Sequence, residues 1–175
     1  MKVILALCCA VIAAMWVYYF VFATDRGVYQ MQDKSWRVAA HDICAAASKE
    51  REALSDTSQG YISKPTPEQM RQRADIVDRA TDILEQMVAD LVAIPVDNDD
   101  DVARLHVLED NYRIVIADRR RYTARLRKSE LMPYDETLVA GGPVSNVVLD
   151  FTAGVKGNDV PECSPPGELG GDVRP

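Results

Sequence analysis

The chain has 175 residues, 47% of them apolar, with 20 basic and 27 acidic side chains and a net charge of −7. That length supports one domain of ordinary size plus appendages. Lys2 is the only charged side chain before Asp25, so everything beyond it carries 19 basic and 27 acidic residues, an acidity that argues against nucleic acid and against electrostatic adhesion to anionic lipid.

In chain order, residues 3–24 contain no charge. A helix over them spans roughly 33 Å, a match to the hydrocarbon core of a bilayer. Trp16, Tyr18 and Tyr19 lie toward its far end, where interfacial aromatics belong. Val21, Phe22 and Ala23 also suit signal peptidase, but the uncharged run is longer than an ordinary signal core, so an uncleaved anchor is expected. A lone anchor of this kind favours a single-pass cell-membrane protein with a cytoplasmic N-terminus and an extracytoplasmic body.

The body begins with a helical stripe of Trp36, Ala40, Ile43, Ala47 and Leu54 in an alanine-rich segment, fading into the polar loop 55–60. The next helix is announced by Thr66 at the N-cap, Pro67 at the first helical position and Gln69 where a capping box places its amide. Met70, Val77, Ala80, Leu84, Met87, Leu91 and Ile94 then keep one apolar face until Pro95. The acidic run 97–101 makes the following turn. A third body helix carries Leu105, Leu108, Tyr112, Val115, Arg119, Tyr122 and Leu126 on its stripe. The short connection makes these two helices antiparallel, placing the arginine-rich end of the second beside Asp75, Asp78 and Asp82. Pro143, Val144, Val147, Val148 and Phe151 predict a short fourth helix closed by Gly154, with a strand over 147–151 as the alternative.

The expectation is therefore an all-α protein: a transmembrane anchor at residues 1–24, an antiparallel three-helix bundle with a short fourth helix at 25–154, and an irregular Pro/Gly-rich tail at 155–175. Four cysteines divide into Cys8 and Cys9, small apolar residues of the anchor, and Cys44 and Cys163 in the body. In an oxidising exterior that isolated pair is expected to form a disulfide. The alternative is two unrelated thiols, with Cys44 filling space in its helix.

Between residues 36 and 166 the order of motifs is distinctive. It runs through Trp36 with Ile43-Cys44, the stretch 73–80 (RADIVDRA), Asp118-Arg119-Arg120 with Tyr122, Pro133-Tyr134 with Glu136, Phe151, Asn158-Asp159 and 163–166 (CSPP). In this it resembles a family of small actinobacterial single-pass membrane-anchored proteins of uncharacterised activity. The resemblance implies an anchored helical body whose two cysteines belong to the shared pattern, and it brings no activity. Separately, the charge run at this end of the third body helix is expected to form salt bridges along a solvated hairpin, with Asp118, Arg119, Arg120 and Tyr122 as the candidate interaction surface.

Chemistry is sparse. His41 and His106 lack the spacing of metal ligands. Counting from Asp97, the glycine position of a calcium loop holds Val102 and the bidentate glutamate position holds Leu108, which excludes an EF-hand. Nucleophile, Walker and dinucleotide motifs are absent, and Gly141-Gly142-Pro143 reads as a turn. The expectation is a protein without enzymatic activity, cofactor or metal. It would be a structural or accessory subunit of an envelope or membrane complex, held in the membrane through residues 3–24 and docked on a protein partner. A small-ligand-binding extracytoplasmic bundle acting through a partner is the alternative.

Overall fold

A computed structural model of the chain describes residues 2–22, 27–54 and 64–167. It is mostly helical. Helix α1 covers Lys2–Phe22, α2 Lys34–Leu54, α3 Pro67–Ala93, α4 Asp99–Arg127 and α5 Val144–Thr152. A two-stranded hairpin, β1 (Leu138–Val139) with β2 (Gly142–Pro143), precedes α5, and a 3-10 turn at Pro161–Cys163 follows it. Among the described residues no helix is long and apolar enough to cross a membrane. The side chains described in α1, those of residues 3–4 and 7–19, are all exposed.

The second and third body helices form where their stripes predict. Thr66 Oγ1 accepts from Gln69 N while Gln69 Oε1 accepts from Thr66 N at 2.8 Å, a complete capping box. Asn98, within the run 97–101, caps α4 through the bond from Asp101 N to Asn98 Oδ1 at 2.8 Å. The 29 residues of α4 make a rod of about 43 Å. Antiparallel to it, α3 contributes Leu84, Met87 and Leu91, and α4 contributes Leu105, Leu108, Tyr112 and Val115, all buried. On the second side of this seam α2 packs Trp36, Ala40, Cys44 and Ala47. The small alanines let the helix backbones approach, and the Trp36 indole nitrogen donates to Leu91 O at 3.3 Å.

The strand alternative over 147–151 gives way to α5, whose Val144, Val148 and Phe151 enter the same core. Phe151 meets Trp36 edge-on at 6.0 Å between ring centroids. The stretch assigned to an irregular tail also contributes buried side chains as far as Cys163. Asn158 is fully buried, accepting from Met31 N at 2.7 Å and donating to Tyr29 O and Phe151 O. Nearby, a Cβ on Gly27 would collide with the Lys156 carbonyl, so only glycine fits this crossing of the two segments.

A smaller apolar cluster of Met70, Ala74, Val77, Tyr122 and Leu126 lies at the other end of the hairpin, with Tyr134 against it. Between the two clusters sits a polar layer. There Arg119 Nε donates to Thr81 Oγ1 at 2.9 Å, both residues being buried.

Candidate functional site

Three features gather the polar chemistry of the body: the arginine-rich flank of α4, the acidic start of α4, and the cleft beside the cysteine pair.

On α4, the assignment of Asp118, Arg119, Arg120 and Tyr122 to an interaction surface needs correction. Asp118, Arg119 and Tyr122 are each 1% exposed. Arg119 and Tyr122 lie on the stripe that faces α3, one and two turns beyond Val115. Asp118 faces the segment that leads to β1, accepting from Thr137 N at 2.6 Å and Thr137 Oγ1 at 2.8 Å and pairing with Arg121 at 2.6 Å. Its carboxylate pins that segment to the helix. Arg120 is the accessible member of the four, and it is engaged with Asp78, Asp82 and Glu85 across the hairpin. Arg127 completes the ladder on Asp75 and Asp78. Burial pushes Asp78 up, but bonds from Thr123, Arg127 and Arg120 outweigh it and hold the carboxyl below the usual range.

At the start of α4 the acidic run is not a set of equivalents. Asp101 is fully buried. Its carboxylate accepts from the backbone of Gln32 at 3.0 Å and Asp33 at 2.9 Å, from Asn98 Nδ2 at 2.9 Å and from Arg104 Nη1 at 2.8 Å. Those two backbone N–H groups precede α2, where a negative charge is favoured. Asp101 therefore ties the first helix of the body to the third. Of the histidines, His41 stands between Asp42 and Glu162 at 3.4 and 3.6 Å, and His106 is 3.8 Å from Glu109. Among the described residues no group of three or more His, Cys, Asp or Glu is placed to hold a metal ion.

The expected disulfide is present: Cys44 and Cys163, 119 positions apart in sequence, are bonded, with Cα atoms 4.9 Å apart. Tyr112 donates its hydroxyl to the Cys163 carbonyl, and burial pushes its phenol far up while the charge of Arg51 opposes that shift. Beyond Cys163 the chain runs as Ser164-Pro165-Pro166 past the last turns of α2. Proline rigidity keeps this strap from collapsing onto the helix, and a cleft of about 220 Å³ remains between them. Ser48, Arg51 and Glu52 line one side, and Glu162, Ser164 and the prolines line the other.

Arg51 is 8% exposed. Its Nε and Nη1 make no hydrogen bond among the described residues, and the same holds for Glu162 Oε2. The hydrophobic stripe of α2 passes over this residue because it is an arginine. Its spacing from Ala40, Cys44 and Ala47 nevertheless puts it on the buried face, and that spacing is the signal that could have found it.

Fold and cleft together define an all-α, disulfide-tied helical body with a small polar cleft beside the staple. No family model matches the chain, and neither does any curated protein or solved structure.

Proposed function

We propose that this chain is a non-catalytic accessory protein, anchored in the cell membrane by residues 3–24 with its body on the extracytoplasmic side, docking there on a protein of the envelope or membrane. The observation that carries the reading is α1. Beyond Lys2 its sequence holds no charged residue, its described side chains are exposed, and it packs against none of the other described elements. Such a helix is stabilised when a low-dielectric partner covers it, and the interior of a bilayer is a partner of that kind. Orientation is supported by the cysteine pair, since a structural disulfide persists outside the reducing cytosol.

From Phe22 to Gly27 the chain reaches at most about 18 Å. The end of the body that holds Gly27, Asp101 and Lys156 therefore faces the membrane. Protease shaving of whole cells tests the orientation: the body should be digested, and a protected body overturns it. The intact mass of the mature chain tests the anchor, because loss of residues 1–23 rules it out. For docking, purification in mild detergent should return a second protein at fixed stoichiometry. A lone, monodisperse chain defeats that part of the reading.

A second reading, a bundle that binds a small ligand, is favoured by one observation: Arg51 is buried in the cleft beside the staple, and its Nε and Nη1 are unpaired among the described residues.

A further inference from the structure

We infer that the cleft between α2 and the 163–166 strap binds a small carboxylate that carries a hydrogen-bond donor next to it, as in a free amino acid or the C-terminal residue of a peptide. The inference rests on the ligand-binding reading and names its ligand class.

Three observations carry it. First, Arg51 is more than nine-tenths buried, and its Nε and Nη1 have no partner among the described residues. A guanidinium presents a planar fork that matches a carboxylate with two parallel bonds, and a desolvated one is costly until an anion meets it. Second, the opposite wall offers the reverse chemistry. Glu162 Oε2 is buried without a partner among the described residues, while its other oxygen lies 3.6 Å from His41. An acceptor there suits an ammonium or amide N–H. Third, among the described residues the cleft is lined by two carboxylates, Glu52 and Glu162, against one guanidinium. A doubly charged phosphate would be repelled by that balance, whereas a singly charged carboxylate with an adjacent donor complements it. At about 220 Å³ the space is below the roughly 300–1,000 Å³ of drug-sized sites and fits a ligand of one or two residues. Ser48 adds a hydroxyl to the lining, Ser164 Oγ is engaged with Thr152 Oγ1 at 2.9 Å, and the strap that forms the far wall is held by the disulfide.

The test uses the full chain in detergent micelles with three probes: alanine, N-acetylalanine and inorganic phosphate. The Arg51 Nε–H resonance, assigned by its loss in Arg51→Lys, reports occupancy of the fork directly, and calorimetry gives the affinity. Saturable movement of that resonance by alanine, N-acetylalanine or both is expected. Alanine alone identifies a free amino acid, and N-acetylalanine alone identifies a peptide terminus. Arg51→Gln should weaken binding by about tenfold or more, and Glu162→Gln should weaken alanine more than N-acetylalanine. If Arg51→Gln fails to fold, the wild-type resonance and Glu162→Gln still decide. Saturation by phosphate alone overturns the ligand class and leaves the ligand-binding reading standing. No saturable response to any probe up to about 10 mM, weaker than any specific affinity, overturns both.

Discussion

Asp101 shows how one buried carboxylate can order two distant segments. Burial alone would raise its pKa, but the bonds from Asn98, Gln32, Asp33 and Arg104 outweigh burial and hold the carboxyl below its ordinary value. Removing it leaves the N–H groups of Gln32 and Asp33 and the Arg104 guanidinium without their acceptor. Asp101→Ala should therefore cost about 2–3 kcal/mol in urea unfolding, whereas Asp99→Ala and Asp100→Ala, at exposed neighbours, should cost under about 0.5 kcal/mol. Equal losses at the three positions would mean that the run acts only as diffuse charge. The pH dependence has a definite sign. A carboxyl whose folded pKa lies below its unfolded value contributes its stability in full above about pH 4, and loses it as pH falls through the folded value. The advantage of wild type over Asp101→Asn should accordingly be flat near neutrality and shrink in acid.

Elements are held by seams whose residues are interchangeable in kind but not in size. Leu84 is fully buried between α3 and α4, so Leu84→Ala should lower stability by about 2–5 kcal/mol, the spread reflecting how far the cavity collapses. A change below about 0.5 kcal/mol would place this residue outside the seam. The hairpin that feeds α5 turns through Ala140 and Gly141, with φ of 51° and 86°. Two left-handed residues joining Val139 and Gly142, which pair across the strands, are what a tight two-residue hairpin demands. Gly141 adopts that conformation freely, while Ala140 carries a Cβ against the following carbonyl. Ala140→Gly should raise the thermal midpoint, by about 0.5–1 kcal/mol in stability. A lowered midpoint would show that the turn adopts another form.

Over the whole molecule the long-range constraint is the Cys44–Cys163 bond, which joins positions 119 apart. Chain-entropy reasoning gives about 4–5 kcal/mol for a loop of this length, an upper value because residual structure in the unfolded chain reduces it. The paired change Cys44→Ala with Cys163→Ala should lower unfolding free energy toward that figure, measured against untreated wild type in urea. Reduction should not release the whole of 155–167, because Asn158 keeps its three bonds to Tyr29, Met31 and Phe151. Amide exchange should thus accelerate beyond Val160 and stay slow at Asn158. Uniform exchange across the segment would mean that the staple, not Asn158, holds both parts.

Much of this architecture is legible in the chain itself. Apolar spacing located the seams of α3 and α4, the Thr66-Pro67-Gln69 start announced a capping box that closes as expected, and an isolated cysteine pair pointed to its own bond. Periodicity reports which face an element buries, and local caps report where it begins. Neither reports what stands opposite. That Asp118 would serve Thr137, Asp101 the backbone of Gln32, and Asn158 that of Met31 depends on partners 19, 69 and 127 positions away. A charged side chain reads as surface until such a partner is in place, so three of the four residues assigned to a surface of α4, Asp118, Arg119 and Tyr122, turned out to be interior. Arg51 was missed for the same reason, and its cleft exists because two prolines and one disulfide hold a strap beside the last turns of α2. Burial of polar groups is a property of the packed whole, because only there are their hydrogen bonds satisfied.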